Sequence, residues 1–229
     1  MGRRRGNAVC SAIASYDPEV VVLSEVQTHS VSEIQASLWM QRWEHTAYAP
    51  RSDKTTNGVC ILSRIPVRVR NGCPVPEENA ARWIDVDLLP FGFGVGALHI
   101  PGKSDQRTPN SKQRFWTALV EAARERIGEK FLFLGDLNTG MHGIDQRESN
   151  FLCDKEFEQM TALGWTDAWR QFHGAEFEPS WVSGKGNGFR LDHAFVSPAL
   201  LPRLVSCEYS HREREESLSD HSILIVEIE

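Results

Sequence analysis

Apolar runs that stop abruptly at an acid or an amide set the rhythm of this chain. Val20-Val21-Val22-Leu23 closes on Ser24-Glu25, and Phe131-Leu132-Phe133-Leu134 closes on Gly135-Asp136-Leu137-Asn138. Short runs rich in β-branched and aromatic residues predict buried strands. Two later segments reverse the order: Asp192-His193 precedes Ala194-Phe195-Val196, and Asp220-His221-Ser222 precedes Ile223-Leu224-Ile225-Val226. Further β segments are predicted at Gly58 to Ser63, Arg82 to Leu88 and Val95 to Ile100.

Helical spacing fills the intervals. Val9, Ile13 and Tyr16 predict a helix ahead of the Val20 strand, and Val31 to Arg42 reads as a second, with Trp39 and Trp43 as a buried stripe. Phe115, Leu119, Ala122, Ala123 and Ile127 mark an amphipathic helix that feeds the Phe131 strand across Gly128, and Asp154 to Leu163 forms another that ends at Gly164. Strands interleaved with helices imply an α/β protein. Several strands in succession with tight loops imply mixed sheets, so the expected architecture is two packed sheets with helices outside. With no repeat, low-complexity tract or dividing linker, 229 residues read as one domain.

Charge and cysteine usage narrow the setting. A net charge of −6 argues against a uniformly basic nucleic-acid coat. Charges are screened beyond about 8 Å at physiological salt, so a local basic rim can still hold phosphates. Five scattered cysteines, odd in number and never spaced Cys-x-x-Cys, suit reduced thiols in a cytoplasm better than disulfides or a zinc site. No apolar run approaches the roughly 20 residues needed to span a bilayer, and Arg3-Arg4-Arg5 is not followed by a signal-peptide core. Gly6 also departs from the Ser or Thr of a myristoylation signal.

Candidate chemistry follows from where the acids fall. Side chains alternate along a strand, so Asp136 and Asn138 leave its end on one side, while Gly135 admits a close-approaching group. If the strands that follow Asp192 and Asp220 run antiparallel to those that end at Glu25 and Asp136, four acids, an amide and His221 share one rim. That much negative charge calls for a cation, and an oxygen-rich, sulfur-poor donor set suits Mg²⁺ or Mn²⁺ better than zinc. Each feature alone has a structural reading: a capped turn for Asp136 and Asn138, a solvated strand end for Glu25, a turn cap for His221, core packing for Trp181 and Phe189. The recurrence at four strand ends points to a site.

The motifs Leu23-Ser24-Glu25, Gly58-Val59-Cys60-Ile61-Leu62-Ser63-Arg64, Leu98-His99-Ile100-Pro101, Gly135-Asp136-Leu137-Asn138, Arg190-Leu191-Asp192-His193 and Ser219-Asp220-His221 occur in that order. On them the chain resembles the endonuclease/exonuclease/phosphatase family, which implies a four-layer α/β sandwich around a divalent metal. The second half resembles the exonuclease III and abasic-site endonuclease branch through Lys112-Gln113-Arg114-Phe115-Trp116, Gly164-Trp165-Thr166-Asp167-Ala168-Trp169-Arg170, Ser180-Trp181 and Gly188-Phe189-Arg190-Leu191-Asp192. The first half departs from that branch. Val26-Gln27 replaces its Thr-Lys pair, and His99 stands where it carries tyrosine. The family opens with an apolar strand ending in Asn ahead of a Gly/Arg-rich turn; Met1-Gly2-Arg3-Arg4-Arg5-Gly6 resembles that turn. A domain over residues 1–229 that lacks the first strand is therefore expected.

By resemblance, Glu25 and Asp220 would ligate the metal. Asp136 would orient or deprotonate the attacking water, and Asn138 would hold that water and a phosphate oxygen. His221 would contact the scissile phosphate with Asp192 as its carboxylate partner, and His99 would donate to the departing oxygen. Arg114, Lys185 and Arg190 are candidate substrate contacts, together with Lys103, Arg107 and Lys112, and Phe189 and Trp181 could stack on a base or sugar. The resemblance implies a monomeric Mg²⁺- or Mn²⁺-dependent phosphodiester hydrolase acting on DNA. Two readings stand beside it: a phosphatase or phosphodiesterase of lipids or small phosphoesters, favoured by His99 and the acidic balance, and an inert binding protein with the same fold.

Overall fold

The computed structural model describes residues 3–26, 43–49, 58–103, 110–147 and 151–229. The predicted Val31 to Arg42 helix with Trp39, and Arg107, lie outside them. Thirteen strands are described. They are β1 (Val20–Val26), β2 (His45–Tyr48), β3 (Gly58–Ser63), β4 (Val67–Val69), β5 (Trp83–Leu88), β6 (Phe93–His99), β7 (Phe131–Asp136), β8 (Thr166–Asp167), β9 (Trp181–Val182), β10 (Gly188–Phe189), β11 (Asp192–Val196), β12 (Leu204–Ser210) and β13 (Ile223–Ile228). The larger sheet has the order β4-β5-β6-β7-β11-β8. It is mixed, as expected: β6 and β7 are parallel, and every other neighbouring pair is antiparallel.

Alternation along the strands builds the layers. Leu132 and Leu134 of β7 face a core shared with Val59 and Ile61 of β3, whereas Phe131 and Phe133 face the opposite side. There they meet Phe115, Trp116 and Leu119 of the helix Ser111–Glu125 and Phe157 and Met160 of the helix Asp154–Ala162. Cys60 and Leu62 of β3 turn away from the central core and pack with Ile13 of the helix Arg3–Ser15. The order through the molecule is helix, sheet, sheet, helices, the four-layer α/β sandwich. Trp43 is fully buried, as its apolar stripe implied. Ile127, expected on the face of the Ser111–Glu125 helix, lies past its end and is exposed.

The layer opposite the larger sheet comes in two pieces, β1-β3-β2 and β12-β13. β1 lies over β6 and β7, and β13 lies over β11. Val20 and Val22 of β1 and Leu224, Val226 and Ile228 of β13 all pack against the central core. Among the described residues, β1 and β13 each pair along one edge only. Unpaired edges leave backbone N–H and C=O groups open to further pairing.

Candidate active site

Three adjacent strands deliver three of the expected residues in one row. His99 ends β6 opposite Asp136, which ends β7 opposite Asp192, the first residue of β11. The antiparallel run of β11 against β7 is what brings an acid-last and an acid-first segment to one rim. Gly135 makes the approach possible: its φ is +143°, and a Cβ there would fall 1.9 Å from the Leu98 carbonyl oxygen.

Asp136 and Asn138 then close on each other. The Asp136 carboxylate accepts from the Asn138 backbone N–H (2.8 Å) and from its side-chain amide (2.9 Å), and that amide also donates to the Ile100 carbonyl (2.9 Å). Asn138 sits at φ +50°, a left-handed turn that asparagine tolerates better than most residues. With both amide hydrogens engaged, its oxygen is the free polar atom, close to Gly102. Lys112, buried at the start of its helix, donates to the Asn138 carbonyl from below. Burial pushes the Lys112 ammonium down to about 8.

Glu25 reaches the rim through a local irregularity. The β1–β3 register shifts between Leu23 and Val26, and Glu25 adopts φ +57°. Such bulges re-aim side chains at the cost of local strain. Here the result is an exposed carboxylate 3.8 Å from His99 Nε2, with the Asp136 carboxylate 3.7 Å from the same nitrogen.

The two histidines are held in opposite states. His221 Nδ1 lies 2.8 Å from Asp192 Oδ2. Burial opposes its charge, yet Asp192, Asp136 and Asp220 raise it to about 10, so it is an imidazolium at neutral pH. Burial, with Arg82 and His221 adding repulsion, holds His99 down at about 3. Arg82 Nη1 lies 3.1 Å from His99 Nδ1 and 3.3 Å from Nε2; with Nδ1 accepting the shorter contact, Nε2 carries the hydrogen and faces the Glu25 and Asp136 carboxylates at 3.8 and 3.7 Å, beyond hydrogen-bond length. His99 can therefore lend a hydrogen bond at neutral pH but carries no spare proton. Asp136 is pushed up to about 7, by burial first and then by Asp192, with Glu25 adding to the effect.

Several residues for which the sequence suggested no such role complete the site. Ser180 is fully buried, and its Oγ accepts from the backbone N–H of Leu191 (2.9 Å) and Asp192 (3.1 Å). Tyr209 donates to the Asp192 carbonyl. Arg82 had no local signal beyond preceding a strand, and Tyr209 belongs to β12, a strand the sequence did not reveal. Trp181 of the β9–β10 hairpin lies 6.3 Å from the His221 ring and 5.7 Å from Phe189, so these two aromatics form a half-buried wall beside the rim instead of joining the core.

Three expected substrate contacts are placed differently from one another. Arg190 requires correction: it is fully buried, donating to Asp145 and to both oxygens of Asp167, so its guanidinium is spent on internal carboxylates. Arg114 is exposed and paired with Glu78. Lys185 stands exposed in the β9–β10 turn, Lys103 is exposed after β6, and Asp220 is exposed beside His221.

A divalent ion fits this donor set on chemical grounds. Glu25 offers an exposed carboxylate near Asp136, whose buried carboxyl is raised first by burial and then by Asp192, and Asp220 is exposed next to His221 in the chain. Among the described residues no three His, Cys, Asp or Glu side chains form a ready cage. Mg²⁺ needs only one or two carboxylates and completes its shell with water and substrate phosphate.

The profile of the Endonuclease/Exonuclease/phosphatase family matches residues 1–221. The chain belongs to that family. Its structure is similar to the 3′-5′ exonuclease NExo from Neisseria meningitidis, with a TM-score of 0.84 and 26% identity over 98% of this chain and 94% of that one. A second NExo structure from Neisseria, that of the 3′ phosphatase bound to a product DNA hairpin, has a TM-score of 0.83 and 25% identity over the same shares. An AP endonuclease from Archaeoglobus fulgidus shares the fold, with a TM-score of 0.81 and 20% identity over 99% and 95%. No curated protein matches the chain at significance. Membership with these neighbours makes the protein a phosphoesterase, as the motif order implied.

Proposed function

We propose that this family member is a Mg²⁺- or Mn²⁺-dependent hydrolase of DNA phosphoesters, acting at ends or nicks. The observation that carries the reading is the His221–Asp192 ion pair sharing a rim with the Asp136–Asn138 pair. One side offers a fixed positive charge for a phosphate, and the other a carboxylate poised near neutral pH.

Glu25 and Asp220 would hold the ion, which when bound supplies charge neutralisation for the phosphate oxygens. The His221 imidazolium binds a non-bridging phosphate oxygen, and Asp192 keeps the ring charged and oriented. Asp136 aligns the attacking water and takes its proton, a role that suits a carboxylate raised to about 7. The Asn138 amide oxygen holds that water on the phosphate side. The neutral His99 ring faces the Glu25 and Asp136 carboxylates from 3.8 and 3.7 Å, where its Nε2–H can donate to the departing oxygen of a substrate bound at the rim. Trp181 and Phe189 offer ring faces for a terminal base or sugar.

NExo is a 3′-5′ exonuclease and a 3′ phosphatase seen bound to a product DNA hairpin, and by analogy this protein is expected to act on DNA, with duplexes the first substrates to try. Five free thiols fit a reducing cytoplasm, and a monomer suffices for the site as assembled. Among the described residues no helix is long and apolar enough to cross a membrane. The test is a panel of nicked duplex, 3′-phosphorylated duplex, abasic duplex, single-stranded RNA, phosphoinositide and sphingomyelin, each with Mg²⁺ and with EDTA. Mg²⁺-dependent turnover of the duplexes, weakening as salt rises, is expected. Turnover of the lipids alone would move the site to a lipid phosphoesterase, the reading that His99 favours.

A further inference from the structure

Behind His221 lies a second histidine–carboxylate pair that the chemistry above does not use. His211 Nε2 is 2.8 Å from Glu178 Oε1, and its Nδ1 is 2.7 Å from Ser222 Oγ and 3.3 Å from Arg214 Nη2. Arg214 Nε also donates to Ser222 Oγ (3.2 Å). An arginine only donates, so His211 Nδ1 accepts, Nε2–H is given to Glu178, and the Ser222 hydroxyl donates to Nδ1. All four groups thereby have their hydrogen-bond directions assigned.

Ser222 is the residue after His221 and is 5% exposed. Its backbone N–H donates to the Ser180 carbonyl (2.8 Å), and Ser180 Oγ takes the N–H groups of Leu191 and Asp192. A continuous line therefore runs from Glu178 through His211, Ser222 and Ser180 to the backbone of Asp192. It reaches the His221–Asp192 pair from behind: Ser222 is the next residue after His221, and Ser180 Oγ accepts from the backbone N–H of Asp192 itself. The bridge between Trp181 and His221 ties the same segment once more.

We propose that His211, acting through Ser222 and Ser180, is a positioning residue that holds the His221–Asp192 pair in register with Asp136. The role rests on the hydrolytic reading above. A serine–histidine–carboxylate row also resembles a nucleophile with its base, but Ser222 is buried and its hydroxyl is clamped by Arg214, so a positioning role is what its surroundings support. In phosphoester hydrolysis a misplacement of about 1 Å at the reacting groups costs on the order of 10²-fold in rate, so a device that limits drift matters even without touching substrate.

Two measurements decide this. Hydrogen exchange on the free protein is independent of any substrate: His211→Ala and Ser222→Ala should speed exchange at residues 190–192 and 221–222 by about 10-fold or more, with β5 to β7 unchanged. His211→Asn, whose amide oxygen can replace Nδ1 as the acceptor, should restore protection. On whichever duplex wild type turns over, the two alanine variants should lose about 10-fold in kcat with KM within about 2-fold, and the double variant should be no slower than either single one. Unchanged exchange at 190–192, a uniform loss of protection, or additive rate losses would overturn the proposal, as would labelling of Ser222 by a fluorophosphonate. If wild type hydrolyses no DNA, the functional reading fails while the exchange result still decides the positioning role.

Discussion

Asp136 and Asp167 sit on the two strands that flank β11, and both are nearly sealed from solvent, at 6% and 4% exposure. Their protons are nonetheless held oppositely. Asp167 accepts from Arg190 through both carboxylate oxygens (2.6 and 3.1 Å) and faces His193 Nδ1 at 3.2 Å. Burial opposes its charge, but the Arg190 guanidinium, with His193 hydrogen-bonded beside it, holds its carboxyl far below the usual range. Asp136 has Asp192 directly across the strand pair and Glu25 nearby, so burial and like charge both push it up to about 7. Burial alone therefore does not set the state of a carboxylate; its company does. The Asp145–Arg170–Arg190–Asp167 cluster is a finished structure with its charges balanced inside the protein. The rim instead sets Glu25, Asp136 and Asp192 against the imidazolium of His221, and on the function proposed above a cation would complete it.

The sharpest way to break this comparison is to unbalance the finished cluster. Arg190→Met strands Asp145 and Asp167 in the interior, and breaking a buried pair costs about 3–5 kcal/mol. For a chain of this size that is a drop of roughly 10 °C in melting temperature. Asp167→Asn should act in the same direction. Acid should find the same weakness in wild type. A carboxylate whose folded value is depressed contributes stability that is complete above its unfolded value of about 3.9 and is lost as pH falls below it. Melting curves from pH 6 to pH 2 check both, and an Arg190→Met protein with wild-type stability would show that the cluster is not what supports the 190–192 approach.

Removing the rim's charges should do the reverse, cutting chemistry while sparing the fold. Glu25→Gln, Asp136→Asn or His221→Ala should each lower turnover by at least about 10²-fold, the scale for a lost acid–base or charge-stabilising group. EDTA should abolish turnover and Mg²⁺ restore it, with no stoichiometric zinc in the purified protein. Near-normal rates for any of these variants on a substrate that wild type hydrolyses would remove that residue from the assigned site.

The same contrast explains what could be read from the residues alone. Strand ends carrying Asp136, Asn138 and Asp192 were legible because alternation and order along the chain dictate their side of the sheet, and β7 and β11 then place them opposite one another. Arg190 was misjudged because an arginine beside a catalytic motif looks the same whether it faces phosphate or an internal carboxylate. Its partners, Asp145 and Asp167, are 45 and 23 residues away. The roles of Arg82, Ser180 and Tyr209 escaped for a related reason: each acts through hydrogen bonds to residues distant in sequence, and no local spacing encodes that. The re-aimed Glu25 was predicted as a rim residue, but its left-handed backbone and register shift could come only from the structure.

The subtlest expected effect concerns the stability of the rim without its cation. Asp136 has a folded value near 7, above the unfolded value of about 3.9, so across that window the native state keeps a proton that the unfolded chain has released. Its ionisation therefore costs stability progressively as pH rises from about 4 to 7, and the cost stays in place above that. Asp136→Asn removes the titration while keeping an oxygen to accept from Asn138, so the variant should gain on wild type over the same window. In EDTA the difference in melting temperature should move in the variant's favour between pH 4.5 and pH 8. Comparing the two pH values cancels any fixed cost of the changed hydrogen bonds. Millimolar Mg²⁺ should then shrink the gap at pH 8 by stabilising wild type more than the variant, through preferential binding to the folded form. A gap that is the same at both pH values would mean that Asp136 is not held under like-charge stress, and a gap indifferent to Mg²⁺ would mean that the rim does not relieve that stress by taking up the ion.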